Sequence, residues 1–383
     1  MHAPFDDLSD NLLRHPDSFK WTYHADDILP LWVADMDFPI APSIHAALHA
    51  RLDLGIGYQS IKTDLDELLR QKLHRLGMPE LPAKGAISFL TGVVPGLYAT
   101  VVALTQPGEE VLTFTPIYPP FLASITDHGR VAKQSPLVQG AQDWEIDFTS
   151  LDAAVTPTTR LLMLCHPHNP TGRVWSRDEL SQLVDFANRH QLFVVSDELH
   201  ADLTLDGPFI PFTAVADEHL RMRTVTLTGP CKAYNTAGLG IGAMISHNRE
   251  LITRIKKAGA GLLGHAGTMS ITMWRAALND DGVWLASVLD YLRANRTLLE
   301  AFVRERLPLV DFIPPQATYL AWLDFRRHPR AGDIHQHLLK DAKVGLNDGP
   351  QFGEGYQGFV RINFATSRAI LTEALERIAC TVA

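Results

Sequence analysis

The chain has 383 residues, about twice the length of one average domain, which predicts two domains of unequal size around a shared cleft. Hydrophobic residues make up 46% and charged residues 20% of the chain, which excludes disordered, fibrous and membrane-spanning classes. The formal net charge is -9 and no basic run interrupts it, so neither nucleic acid nor a membrane is an expected partner.

The cysteines and the first residues of the chain indicate the cellular compartment of the protein. Cys165, Cys231 and Cys380 are an odd number at wide spacing, which matches neither a disulfide framework nor a four-ligand zinc site. The two His-x-His pairs have no matching cysteine or carboxylate cluster, so no metal is expected. The sequence after Met1 is acidic where a signal peptide would be basic. We therefore expect a cytoplasmic protein without a targeting segment.

A strand-turn-helix unit opens the predicted sheet. Short apolar runs alternate with amphipathic segments from about residue 86 to 246, which is the pattern of a largely parallel sheet with both faces covered. The first strand is predicted over 86–90 and the following helix over 94–104. The backbone N–H groups of Val93 and Val94 at that helix start would bind a phosphate, or the segment is a plain turn.

The next two strands end in loops that carry an aromatic and an amide side chain. A strand over 111–114 leads to Tyr118, whose ring either stacks on a planar ligand or packs in the core. A strand over 160–165 leads to Asn169, which lies in a loop made rigid by two prolines. Asn169 either faces a ligand above the sheet or bonds its own backbone in a turn.

Charged residues follow the two strands after these. The strand over 192–196 runs into Asp197 with no turn residue between them, which predicts a buried carboxylate. Asp197 either pairs with a cationic ligand group or caps a helix or forms a loop salt bridge, and His200 follows three residues later. The strand over 224–227 ends in a tight loop around Lys232. Lysine side chains are usually solvated, but in such a loop the amine of Lys232 would lose part of its hydration.

The C-terminal part predicts a second, smaller domain. A long helical pattern begins after Asp281 and ends before residue 308, and shorter strands follow over 317–323 and 359–363. Arg361 lies in the middle of the last strand, where an unpaired guanidinium would be costly. Its partner is either the carboxylate of a small amino-acid substrate or an internal salt bridge.

Lys232, Asp197, Asn169 and Arg361 together indicate a pyridoxal phosphate site. The lysine can bind the cofactor's aldehyde covalently, and the aspartate can keep the ring nitrogen protonated. The asparagine can tune the phenolic oxygen, and the arginine can clamp an amino acid's carboxylate. His200 is a second candidate for a bond to the phenolic oxygen.

Four further segments carry a resemblance to a known family. They are Leu29-Pro30-Leu31-Trp32-Val33-Ala34-Asp35-Met36-Asp37-Phe38, Gly57-Tyr58, Thr318-Tyr319-Leu320-Ala321-Trp322-Leu323-Asp324 and Gly358-Phe359-Val360-Arg361. The chain resembles the pyridoxal-phosphate enzymes of the aspartate-aminotransferase fold in the class I/II superfamily, and within them the cystathionine β-lyase, or cysteine-sulfur lyase, branch. The resemblance implies an α/β protein of fold type I. A large domain over 46–281 would hold a mainly parallel seven-stranded sheet, and residues 1–45 and 282–383 would form a smaller α+β domain.

The resemblance also implies roles for single residues. Tyr58 would contact the phosphate bound by the neighbouring subunit, so the active unit would be a homodimer with shared active sites. The roles implied for the others are Tyr118 over the cofactor ring, Asn169 and Asp197 on the ring, Lys232 on the aldehyde, and Arg361, Asn169 and Ala34 on the substrate.

One departure from the relatives concerns the loop before the lysine. Relatives carry a serine three residues before the lysine and another directly before it, whereas this chain has Gly229 and Cys231. Thr228 would supply a phosphate contact in place of the missing hydroxyls. The loss of two hydroxyl donors is expected to lower both cofactor occupancy and catalysis.

These observations predict a β-lyase that cleaves cystathionine or related cysteine thioethers to a thiol, pyruvate and ammonia. The same residues would serve a class I/II aminotransferase, so catalytic residues alone do not separate the two reactions. A non-catalytic regulator that binds pyridoxal phosphate is the third alternative.

Overall fold

The computed structural model describes residues 5–8, 10–60 and 64–382 of the chain. The strands are β1 (Leu29–Pro30), β2 (Ile87–Leu90), β3 (Glu110–Thr115), β4 (Val131–Pro136), β5 (Val138–Gln139), β6 (Trp144–Glu145), β7 (Thr159–Cys165), β8 (Phe193–Asp197), β9 (Thr224–Thr228), β10 (Gly242–Ile245), β11 (Asp311–Phe312), β12 (Leu320–Asp324), β13 (Val344–Gly345), β14 (Asn347–Asp348) and β15 (Phe359–Asn363). The α-helices are α1 (Asp10–Leu13), α2 (Phe19–Thr22), α3 (Pro42–Asp53), α4 (Asp64–Arg75), α5 (Val93–Leu104), α6 (Pro119–Thr126), α7 (Phe148–Ala154), α8 (Arg177–Arg189), α9 (Phe212–Val215), α10 (Glu218–Arg221), α11 (Arg249–Ala258), α12 (Thr268–Leu278), α13 (Val283–Arg306), α14 (Ile334–His337) and α15 (Arg368–Val382). The prediction about a targeting segment rests on the first residues, of which 1–4 lie outside the described ranges.

The central sheet has seven strands in the order β2-β10-β9-β8-β7-β3-β4. Neighbouring strands pair in parallel except around β10, which runs antiparallel to both β2 and β9. Six strands therefore run in one direction, and their carboxyl ends meet at one edge of the sheet, the edge at which open α/β sheets bind ligands. The mainly parallel seven-stranded sheet is confirmed.

Both faces of this sheet are buried, as parallel strands require. Successive side chains of β7 point to opposite faces, so Leu161 and Met163 pack in one apolar cluster while Leu162 and Leu164 pack in another. Helices α5, α6 and α11 supply the first cluster, and α8 and α9 supply the second. The apolar runs of the sequence are thus explained by burial on both sides.

A smaller antiparallel sheet, in the order β11-β12-β15-β14, lies in the C-terminal part. Its core side chains share one apolar cluster with α13, α15 and the N-terminal residues around Leu31 and Phe38. Strand β1 also pairs in parallel with β13, with Leu29 opposite Val344. The N-terminal segment is therefore packed against the C-terminal part of the chain.

A helix that spans a lipid bilayer needs about 20 predominantly apolar residues. None of the described helices is both long enough and apolar enough to cross a membrane. The longest, α13, has 24 residues but carries charged side chains along its length.

Candidate active site

A cavity of about 390 Å³ lies at the carboxyl edge of the central sheet, and the N-terminal segment forms part of its wall. A volume of this size is typical of a small-ligand site. Nine predicted site residues line it, namely Ala34, Val93, Val94, Tyr118, Asn169, Asp197, His200, Lys232 and Arg361. Two predicted residues do not line it: Thr228 is buried at the end of β9, and Tyr58 is fully exposed.

The parallel strands explain why these residues meet. Asp197 ends β8 and lies beside the ends of β7 and β9. Asn169 follows β7 and Lys232 follows β9, so all three reach the same edge of the sheet. Tyr118 follows β3, and its backbone N–H donates to the carbonyl oxygen of Asn169 at 3.1 Å. Topology thus places side chains from four strand ends around one cavity.

Lys232 is held at the cavity wall by a backbone oxygen. Its Nζ donates to the carbonyl oxygen of Ala34 at 2.8 Å. The hydroxyl of Tyr319, a buried residue, donates to the same oxygen at 3.0 Å. The Ala34 carbonyl therefore defines a resting place for the lysine amine.

Asp197 presents a buried carboxyl to the cavity. Its Oδ1 accepts a hydrogen bond of 3.1 Å from the N–H of Leu199. Burial raises the pKa of Asp197 to about 7, although that bond and the charge of Lys232 both lower it. A cationic ring nitrogen at this carboxyl would restore its ionised form, so the site fits a pyridinium ring.

Arg361 lies buried in the middle of β15. Its Nη1 donates to Oδ1 of Asn169 at 3.0 Å, and its Nη2 donates to Oδ1 of Asn347 at 2.6 Å and to the carbonyl of Trp32 at 3.1 Å. Burial lowers its pKa to about 10, so the guanidinium remains a cation near neutral pH. Within the described residues it has no carboxylate partner, and its buried Nε has no hydrogen-bond partner. This favours a substrate carboxylate over an internal salt bridge.

Two further features fit a phosphorylated pyridine ligand. Val93 and Val94 are the first residues of α5, so their N–H groups have no partner within the helix and the helix dipole favours an anion there. His200 is buried, and burial lowers its pKa to about 3, so its imidazole is neutral. Its Nδ1 has no hydrogen-bond partner in the described part of the chain. The residues present therefore fit pyridoxal phosphate.

Residues 32–38, called the strap from here on, carry the N-terminal motif past the cavity. Side chains from distant segments donate to its carbonyl oxygens: Arg361 to Trp32, Asn363 to Val33 and Asp35, Lys232 and Tyr319 to Ala34, Lys20 to Asp35, and Asn235 to Met36 and Phe38. The strap is irregular, so its carbonyl oxygens have no partners in a helix or a sheet, and these side chains supply their hydrogen bonds instead. The strap is thereby fixed relative to Lys232 and Arg361.

The loop before Lys232 holds Gly229 and Cys231 at the two positions where the family resemblance implies serines. A Cβ atom at Gly229 would lie 3.0 Å from the carbonyl oxygen of Ile241 and 3.3 Å from Cδ1 of Leu199. A serine there would press on the backbone of the neighbouring segment. Cys231 is half-buried and lines the cavity, and burial raises the pKa of its thiol.

Sequence reasoning missed three residues of the site. Trp32 and Tyr319 lie inside the motifs that carry the family resemblance, which was the signal available for them. Asn347 stands directly before Asp348 and Gly349, a composition typical of a turn. Its contact with Arg361 in the folded chain is what assigns it to the site.

The fold and the cavity define a protein of the pyridoxal-phosphate-dependent class with the aspartate-aminotransferase fold. The family model described as aminotransferase class I and II matches residues 27–378. The chain belongs to this family.

Individual relatives cover almost the whole chain. The cystathionine beta-lyase PatB of Bacillus subtilis is 36% identical over 375 residues, which cover 94% of this chain and 95% of that protein. The crystal structure of cystalysin from Treponema denticola, which contains a pyridoxal 5'-phosphate cofactor, matches with a TM-score of 0.93 at 28% identity, covering 100% and 99% of the two chains. The pyridoxal-phosphate-bound C–S lyase from Staphylococcus hominis matches with a TM-score of 0.90 at 28% identity, covering 100% and 98%.

Proposed function

We propose that the chain is a pyridoxal-phosphate-dependent carbon–sulfur β-lyase that cleaves cystathionine or related cysteine thioethers to a thiol, pyruvate and ammonia. The observation that carries the proposal is the meeting of Lys232, Asp197 and Arg361 on one cavity. The relatives named as lyases, PatB and the Staphylococcus hominis enzyme, support elimination as the reaction.

Each of the three residues has a task that follows from its place. Bound pyridoxal phosphate would supply the electron sink for negative charge at the substrate α-carbon. Arg361 would bind the substrate carboxylate through parallel hydrogen bonds, which orients the amino acid. Asp197 would hold the proton on the ring nitrogen. Lys232, freed by the substrate amine and held near the Ala34 carbonyl, would remove the α-proton.

Elimination then cleaves the carbon–sulfur bond of the substrate and needs no keto-acid acceptor. As the α-proton leaves, the bond between the β-carbon and sulfur breaks and its electron pair goes to sulfur, which leaves as a thiolate and takes up a proton. Water hydrolyses the remaining enamine to pyruvate and ammonia. An aminotransferase would instead need a keto acid to complete its cycle, which provides the discriminating experiment.

The test is incubation of the purified protein and cofactor with cystathionine and with simpler cysteine thioethers, each with and without a keto acid. We expect pyruvate and ammonia without the keto acid. Lys232→Ala should lower the rate by about two to four powers of ten, the range for a general base. The exposed Lys256→Ala is the matched control and should be unaffected. Strict dependence on the keto acid would assign the chain to the aminotransferases.

The active unit is proposed to be a homodimer with shared sites. Tyr58, which the family resemblance assigns to a phosphate, is fully exposed and does not line the cavity of its own chain. Leu52, Leu54 and Ile56 just before it are also more than half exposed. An exposed apolar segment next to a residue of the site is what a second copy of the chain would cover.

Subunit complementation tests this homodimer. If Tyr58 acts in the site of the neighbouring subunit, a hybrid of one Lys232→Ala chain and one Tyr58→Ala chain has both substitutions in one site, so its other site carries neither. Unfolding and refolding the two inactive variants together should restore activity, whereas refolding each alone should not. Mixtures that remain inactive although dimers form would show that Tyr58 acts within its own chain.

Location and domain division are also proposed from these observations. Three free cysteines favour a reducing cytoplasm.

The division into 46–281 and a smaller unit from 1–45 and 282–383 is supported by the two sheets. All seven strands of the central sheet lie between residues 87 and 245, whereas the four-stranded sheet lies between 311 and 363.

A further inference from the structure

Three aromatic rings, called the aromatic wall from here on, lie together, and one of them belongs to a residue that lines the cavity: they are Phe19, Tyr23 and Trp32, of which Trp32 lines the cavity. The ring centroids of Tyr23 and Trp32 are 4.5 Å apart, those of Phe19 and Trp32 are 5.2 Å apart, and those of Phe19 and Tyr23 are 5.5 Å apart. Phe19 is 64% exposed and Tyr23 is 59% exposed. A cluster of exposed aromatic side chains is typical of a surface that binds an apolar group.

Trp32 connects this wall to the active site. It lines the cavity, and its carbonyl oxygen accepts the 3.1 Å hydrogen bond from Nη2 of Arg361. Its indole N–H donates to the carbonyl oxygen of Lys20 at 3.3 Å, which orients the ring. Both the backbone and the ring of Trp32 are therefore held relative to the guanidinium proposed to bind the substrate carboxylate.

The geometry of a cysteine thioether brings its sulfur substituent toward this wall. Two carbon atoms separate the sulfur from the carboxylate carbon, so a carboxylate on Arg361 keeps the sulfur within reach of Trp32, which lines the same cavity and contacts Arg361 through its carbonyl oxygen. A ring on the sulfur that packs on Trp32 would also be near Tyr23, whose ring contacts that of Trp32.

The charges around the cavity favour an apolar substituent. Among the described residues that line it, the charged side chains are Asp197, Lys232 and Arg361, and each is assigned to the cofactor or to the α-carboxylate. A charged substituent, such as the second amino-acid group of cystathionine, would lose water there without gaining an ionic partner from this chain. A planar ring would instead pack against Trp32 and Tyr23.

We propose that the aromatic wall is the subsite for the sulfur substituent and that preferred substrates carry a planar aromatic or heteroaromatic group on sulfur. This proposal rests on the proposed lyase function, because it names the substrate class of the same site. It assigns Tyr23 and Trp32 to substrate selection.

The kinetic test compares S-phenyl-L-cysteine with S-methyl-L-cysteine. The measured quantity is the ratio of kcat/KM for S-phenyl-L-cysteine to kcat/KM for S-methyl-L-cysteine. Because the two thiolates differ as leaving groups, this ratio in each variant is compared with the ratio in the wild type. Tyr23→Ala and Trp32→Leu should each lower the ratio about 2- to 12-fold, the value of one aromatic contact. Met222→Ala changes an exposed side chain outside the cavity and should leave the ratio unchanged. A ratio that stays constant in both wall variants would overturn the subsite.

A binding measurement separates failure of the subsite from failure of the lyase function. L-Homophenylalanine and L-norvaline are carbon analogues of the two substrates without a carbon–sulfur bond, and their binding can be followed by the visible absorption of the bound cofactor. The wild-type protein should bind L-homophenylalanine more tightly, and Tyr23→Ala should reduce that preference. If this preference holds but no thioether yields pyruvate, the lyase function is wrong and the subsite stands. Equal binding of the two analogues overturns the subsite.

Discussion

Nη1 of Arg361 donates a hydrogen bond of 3.0 Å to Oδ1 of Asn169, across 192 positions of sequence. Arg361 lies on the small antiparallel sheet, and Asn169 lies on the loop after β7 of the central sheet. One contact thus links the residue proposed to bind the substrate carboxylate with a residue proposed to bind the cofactor. Changes at Arg361 are therefore expected to affect substrate orientation as well as affinity.

Arg361→Lys should weaken substrate binding strongly. The substitution keeps a cation but loses the planar pair of donors, and hydrogen bonds to charged groups contribute about 1.5 to 3 kcal/mol. We expect kcat/KM to fall about 10- to 150-fold, mainly through KM. Steady-state kinetics checks this, with the exposed Arg177→Lys as the matched control. An unchanged KM would assign the carboxylate to another group.

Tyr319→Phe should affect both stability and turnover. The hydroxyl donates to the Ala34 carbonyl that also accepts from Lys232, and a hydrogen bond of this kind contributes about 0.5 to 1.5 kcal/mol. Denaturant unfolding should show a loss of that size, and kcat should fall because Lys232 loses a fixed acceptor.

The control for Tyr319 is a second buried tyrosine. The hydroxyl of Tyr356 lies 3.5 Å from Oγ1 of Thr115 and does not line the cavity. Tyr356→Phe should leave kcat unchanged. Equal losses of kcat in the two variants would point to a general effect of removing a buried hydroxyl.

Lys20→Met should destabilise the fold by about 3 to 5 kcal/mol, the cost of leaving one member of a buried ion pair alone. Nζ of Lys20 lies 3.0 Å from Oδ1 of Asp37, with both side chains no more than 3% exposed. The double variant Lys20→Met, Asp37→Leu should be more stable than Lys20→Met, because no lone charge remains. Urea unfolding of the single and double variants measures the difference. A double variant less stable than Lys20→Met would show that the pair's charge is not what matters.

The cofactor-free protein should lose stability as pH rises through the range of a buried carboxyl. Burial raises the pKa of Glu198 from its ordinary 4.5 to about 8, and its carboxyl accepts from Oγ of Ser196 and the N–H of Phe212. The folded state therefore binds the proton more tightly than the unfolded chain does. This stabilisation is complete below about pH 4.5 and is lost as the pH approaches about 8.

Glu198→Gln removes that titration. Thermal midpoints of the cofactor-free proteins at about pH 5 and about pH 8 should show a smaller decline for the variant than for the wild type. The exposed Glu67→Gln is the control and should follow the wild type. A variant that declines as steeply as the wild type would mean that Glu198 does not titrate in this range.

Most strands of the central sheet were predicted closely because apolar runs ended by turn residues are a local signal. The edge strand β4 was not predicted, because its side chains are mostly exposed or half-buried and form no apolar run. Asp197 was expected at the end of a buried strand and Arg361 in the middle of one, and the structure confirms both positions. The strand expected over 317–323 instead begins at Leu320. Thr318 has a φ of 72°, and this left-handed conformation interrupts the extended run.

The sequence by itself determined most strands of the central sheet, the residues at their ends and the chemistry those residues indicate together. The tertiary structure alone decided which distant groups touch: Lys232 on the Ala34 carbonyl 198 positions away, Asn347 on Arg361, and Tyr23 on Trp32. Local apolar patterns specify an element because its hydrogen bonds and burial repeat along the chain. Contacts between irregular segments have no such repeat, so they follow only from how the complete core packs.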